Sequence, residues 1–172
     1  MTLEQGDAAL ARLRVGAGRE VLAFAGDTAT AEARERLRAD VVAALAFDLH
    51  PTDRPLTLWL LAQEVAAHEA RGAGASEALY TLVAAVARFG QPEDAPLLWR
   101  AREATEETRA GVDVEQFARL GIAEARAALA HEDDGRALAW LDGAAAVGAF
   151  DDLPGYFLWA DERFGLRVSG PT

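Results

Sequence analysis

The chain has 172 residues, 51% of them hydrophobic, and a formal net charge of −11. That is the size of one ordinary domain with enough apolar mass for a core, which excludes a disordered chain. The acidity sets it against phosphate backbones and anionic bilayers, so neither nucleic acid nor a membrane surface is an expected partner.

Missing residue types exclude more. There is no cysteine, lysine or asparagine. A disulfide framework, a thiol nucleophile, a Schiff-base amine, a phosphate-loop lysine and an N-glycosylation site are therefore all absent. Of two serines, Ser169 lies in a Gly/Pro tail and Ser76 precedes a helical pattern. Neither stands in a nucleophile-elbow context. Alanine abounds and Ile122 is the sole isoleucine, a bias toward helix and away from strand. The N-terminus shows no basic stretch followed by an apolar one, and no apolar run could span a bilayer, so the expected location is cytoplasmic.

In chain order, Thr2 and Gln5 form a capping-box pattern ahead of Leu10 and Leu13, and Gly16 and Gly18 end that segment. Residues 19–25 are read as helix because their neighbours are helical. Gly26, Asp27 and Thr28 open a unit with Leu37, Val41, Ala44, Leu45 and Leu49 at helical spacing, closed by His50-Pro51. Pro55 restarts the chain. Leu58, Leu61, Val65 and Glu69 mark the next helix, which stops at Arg71-Gly72. Ser76 reads as an N-cap for the stripe Leu79, Leu82, Val83, Val86, ended by Phe89-Gly90. After Gln91-Pro92-Glu93-Asp94, one helix carries Leu97, Leu98, Ala101 and Thr105 on to Gly111. Asp113 with Gln116 is another capping box, followed by two short helices around Gly121. Asp134 caps a helix with Leu138, Leu141 and Ala145. Asp152 and Pro154 start a terminal helix bearing Tyr156, Phe157, Trp159 and Phe164, and residues 167–172 form a loose tail. The expectation is one all-α domain of about eight helices, residues 1–172.

The stripe Ala78, Leu79, Leu82, Ala85 recurs 59 residues on as Ala137, Leu138, Leu141, Ala144, each followed by Asp-x-Pro (Asp94-Ala95-Pro96, Asp152-Leu153-Pro154). Residues 89–98, Phe-Gly-Gln-Pro-Glu-Asp-Ala-Pro-Leu-Leu, resemble the inter-helix turn of HEAT-like repeats. The resemblance covers residues 76–110, with an echo at 137–165 and no regular period in residues 1–75. It implies stacked antiparallel helical hairpins, α-solenoid-like, and a role in binding other macromolecules.

The candidate site is the segment around Trp99. If Leu97, Leu98, Ala101 and Thr105 face inward, then Trp99, Arg102, Glu103 and Glu106 fall on other faces, with Arg100 beside them. Trp and Arg on an exposed helix face make interface hot spots. The competing reading is a half-buried Trp99 covering a neighbouring helix, with Arg102–Glu106 as an ordinary i,i+4 pair. Glu64 and His68 share a helix face, either as half a metal site or as a solvated pair. No second pair has ligand spacing, so no metal or cofactor is expected. His131-Glu132-Asp133-Asp134 reads as an acidic helix junction, and Gly16-x-Gly18 as a turn. Trp59 and Trp140 read as core. The terminal aromatics close the core or form a homodimer patch. The functional expectation is a non-enzymatic module that binds a protein partner. The alternatives are an acidic inhibitor of a basic partner, or an enzyme using carboxylates, Arg and His.

Overall fold

A computed structural model describes residues 3–24, 28–72, 74–132 and 135–167, the side chains of 3–5 and 28–30 excepted. The Thr2–Gln5 box, the Gly26-Asp27 start, the Asp133 and Asp134 junction with its cap, and the tail beyond residue 167 lie outside the described residues. The order is α1 (Leu3–Arg14), α2 (Thr28–Phe47), α3 (Arg54–Arg71), α4 (Glu77–Arg88), α5 (Ala95–Glu103), α6 (Glu106–Gly111), α7 (Glu115–Ala118), α8 (Ile122–Leu129), α9 (Arg136–Ala146) and α10 (Leu153–Arg163). Short 3-10 turns stand at Arg19–Val21, Pro51–Asp53 and Pro92–Asp94. The described residues are all-α, with ten helices where eight were expected.

Two departures have local causes. Residues 19–24 hold a single 3-10 turn, Arg19–Val21, instead of a helix, and Gly16 and Gly18 before it both lie in the left-handed region. The segment expected to run unbroken to Gly111 splits at Thr105. Its backbone is extended there, and its hydroxyl accepts the Thr108 N–H at 3.1 Å, capping α6. Ser76 caps α4 as expected, accepting the Leu79 N–H at 3.1 Å. Gly72 closes α3 at φ 70°, donating its N–H to the His68 carbonyl.

α4 is the centre of the molecule. Every residue from Ala78 to Ala87 except Tyr80 is buried, and a helix apolar on all sides belongs inside. It packs on α2, α3, α5 and α7, while α8 bridges α5 to α9 and α10 rests on α7. Phe117, Leu98, Leu129 and Leu141 extend the core toward the C-terminus. The chain end then returns. Arg167 donates its N–H to Ala46 O at 2.8 Å and accepts that of Leu49 at 3.0 Å, so this residue of the expected loose tail is fastened to the end of α2.

One turn is used twice. Pro51-Thr-Asp53-Arg-Pro55-Leu56 and Pro92-Glu-Asp94-Ala-Pro96-Leu97 share a Pro-x-Asp-x-Pro-Leu pattern 41 residues apart. In both, a 3-10 turn leads straight into a helix with proline in its first turn. Both aspartates are buried and taken in a two-pronged fork. Arg14 donates Nε and Nη2 to Asp53 at 3.0 and 2.7 Å, and Arg54 does the same to Asp94 at 3.0 and 2.7 Å. Each fork ties one turn to an earlier helix end. The two Asp-x-Pro starts, at Asp94 and Asp152, 58 residues apart, are unlike. Asp94 is buried in its fork, whereas Asp152 is exposed and caps its own helix through the Gly155 N–H.

Candidate functional site

α5 presents Trp99 and Arg102 one turn apart, and α9 brings Trp140 against them. Trp99 is not exposed: 5% of its surface reaches solvent. Its ring lies 5.5 Å from that of Trp140, which also meets Phe117 edge-on at 5.3 Å. The Arg102 guanidinium sits over both tryptophans, 5.1 Å from Trp99 and 4.3 Å from Trp140. Trp99 therefore covers a neighbouring helix. Trp140 is half-buried, with one edge at the surface, and Trp59 is likewise half-buried, beneath Arg19 at 5.4 Å.

Glu103 is the hub beside them. It pairs with Arg102, with Arg109 Nε at 3.3 Å and with Arg136 Nη1 at 3.2 Å. The expected Arg102–Glu106 pair is not formed. The break at Thr105 takes Glu106 off that register, onto the exposed first turn of α6, and Arg102 turns to Glu103. Arg100 leaves the site altogether and forks onto Glu69 of α3 at 2.8 and 2.5 Å. The result is an open cleft of about 330 Å³ lined by Trp99, Arg102, Glu103, Arg109, Arg136 and Trp140. Burial holds the Arg102 pKa below its ordinary value against the pull of Glu103, and Arg109 and Arg136 add to the lowering. Its Nε is buried with no hydrogen-bond partner among the described residues. Trp140, Arg109 and Arg136 were not among the sequence candidates. They come from α9 and α6, and no single helix face brings them beside Trp99.

Glu64 and His68 are neither solvated nor a half-built metal site. Both are buried, and Arg38 of α2 donates Nε to Glu64 at 2.5 Å from an equally buried position. Among the described residues no three His, Cys, Asp or Glu side chains gather to hold a metal. The expected Asp113–Gln116 capping box is also replaced. Asp113 accepts the Tyr156 hydroxyl at 2.8 Å, and Gln116 Nε2 donates to that hydroxyl at 2.9 Å, so the pair anchors α10 to α7. The other terminal aromatics divide: Phe164 is half-buried against the core, Trp159 is exposed beside exposed Leu158, and Phe157 lies half-buried under Arg119.

Burial, then the bond to Asp113 and its charge, drive the Tyr156 pKa far above its ordinary 10. A raised folded-state pKa means stability held below pH 10 and lost as pH climbs beyond it. Tyr156→Phe is expected to lower stability by about 1 kcal/mol at neutral pH and to flatten the alkaline limb of a stability–pH curve. Denaturant unfolding above and below pH 10 measures both.

Neither a family model, a curated protein nor a solved structure matches this chain. Among the described residues no helix is long and apolar enough to cross a membrane.

Proposed function

We propose that the chain is a non-enzymatic protein-binding module of the helical-repeat kind, and that its binding site is the cleft between α5, α6 and α9. The observation that carries this reading is the Arg102 guanidinium seated over two contacting tryptophans, beside a glutamate shared by three arginines. Tryptophan and arginine dominate interface energies because they combine large flat area with directed donors. Arg109 and Arg136 are half or more exposed at the rim, while Trp99 and Arg102 are fixed behind them. The repeated Pro-x-Asp-x-Pro-Leu turn supports the helical-repeat part of the reading. Chemistry is a poor fit to this cleft. Its one carboxylate, Glu103, is tied up by guanidinium groups, and it offers no nucleophile.

The partner surface that suits the cleft is an acidic peptide segment with an apolar or aromatic side chain beside its carboxylates. An array of short peptides, acidic-aromatic, neutral and basic, probed with the tagged protein, tests this. Acidic-aromatic peptides should be retained by wild type and lost by Arg109→Glu/Arg136→Glu, with the helical circular dichroism unchanged. Retention of basic peptides instead would replace this reading with that of an acidic inhibitor. Equal retention by wild type and variant would remove the site, and no retention of any peptide would remove the module.

A further inference from the structure

A second cleft, of about 470 Å³, lies where the ends of α2, α4 and α7 meet, lined by Leu49, His50, Pro51, Arg88, Phe89 and Arg119. Arg88 is the last residue of α4 and Arg119 follows α7 directly. Both reach the same carboxylate: Arg88 bonds one oxygen of Asp161 on α10, and Arg119 Nη2 bonds the other at 2.8 Å while also donating to Phe157 O at 2.9 Å. Two guanidinium groups thus share one negative charge. The surrounding charges do not restore the balance. His50 lies at the mouth with Nε2 3.3 Å from Asp48, and Asp48 is already held by Arg14 at 3.0 Å. The Arg119 side chain is 11% exposed, and its Nε is buried with no hydrogen-bond partner among the described residues. Burial, then the like charge of Arg88, pull its pKa down to about 10 despite the bond to Asp161. In a chain of net charge −11 this is a local excess of partly buried positive charge.

Such an excess is stabilised by an anion that supplies acceptor oxygens. The other wall is apolar: Leu49, Pro51 and Phe89. A cleft of this size with one charged end and one apolar wall is the usual build of a small-molecule site. It is preformed, because the Arg167 backbone bonds hold the end of α2 and the Asp161 bridge holds α10.

We propose that this cleft binds an organic oxyanion, its carboxylate or phosphate group on Arg88 and Arg119 and its apolar body against Leu49, Pro51 and Phe89. The site is separate from the α5–α9 cleft and stands without it. Titration calorimetry with phenyl phosphate, benzoate and inorganic phosphate tests it. Phenyl phosphate or benzoate should bind wild type measurably below about 10 mM, and inorganic phosphate should bind more weakly for want of the apolar contact. Arg88→Gln should weaken the organic anion by about tenfold or more, while Arg163→Gln, which removes an exposed arginine paired elsewhere with Glu77, should leave it unchanged. Amide resonances of Leu49, His50, residues 88–90 and residues 119–121 should shift in wild type on titration, a readout that needs no variant to fold. Absence of binding by all three probes, binding unaltered in Arg88→Gln, or resonance shifts elsewhere would each overturn the proposal. Binding of inorganic phosphate as tight as that of phenyl phosphate would overturn its apolar half.

Discussion

Glu64→Gln is expected to lower the stability of the fold by about 3–5 kcal/mol, more than any surface substitution discussed above. Glu64 and Arg38 are both essentially excluded from water. Glu64 receives the Arg38 Nε on one oxygen at 2.5 Å and the Ser76 hydroxyl on the other at 3.1 Å. Arg38 also donates to the Leu22 carbonyl at 3.0 Å. His68 completes the network: Nδ1 donates to the Glu64 carbonyl at 2.8 Å, and Nε2 accepts the Ser76 N–H at 3.0 Å. The amide variant keeps the shape and removes the charge, so the guanidinium stays in the core without a counter-ion. Desolvation of an unpaired cation dominates the lost hydrogen bond, which by itself is worth only about 1 kcal/mol. At this chain length the loss corresponds to a Tm lower by about 10 °C. The double variant Arg38→Met/Glu64→Leu removes both charges and should be less destabilised than Glu64→Gln alone. A Glu64→Gln protein within about 1 kcal/mol of wild type would show that the pair contributes no charge compensation.

That network marks the boundary of what the sequence reveals. Helix ends were readable because their causes are local: the Ser76 hydroxyl cap, the left-handed Gly72, the proline after His50. The inward face of α3 was not. Apolar spacing selected Leu58, Leu61, Val65 and Glu69, yet Glu69 is exposed and the buried face runs through Leu60, Leu61, Glu64, Val65 and His68. A glutamate and a histidine one turn apart look like a solvent face unless a buried arginine from another helix is known to meet them. The candidate site divides the same way. Trp99, Arg102 and Glu103 share one helix and were legible together, whereas Trp140, Arg109 and Arg136 are brought in by tertiary packing. The recurring turn was legible in principle. Its signal lies in proline and aspartate at fixed offsets, and comparison of apolar stripes passes over it.

Arg54→Ala addresses the coupling between successive turns. It leaves Asp94, 4% exposed, without its fork, and should lower stability by about 3 kcal/mol. Asp94→Ala should cost less, because the Arg54 side chain left behind is 29% exposed and can turn to water. The asymmetry separates desolvation from simple loss of a bond, which would make the two variants equal. The form of the unfolding curve carries a second result. In an open stack, where each unit touches only its neighbours, cutting the fork would uncouple the C-terminal helices and split the transition in two. Here α10 reaches back to α4 through Arg88–Asp161 and Arg163–Glu77, and Arg167 pairs with the end of α2. Those contacts bypass the severed fork. Arg54→Ala should therefore unfold in one transition, with protection from amide exchange in α3 and α9 lowered together. Early exchange confined to the helices after Asp94 would mean that the returning contacts do not hold the two ends as one cooperative unit.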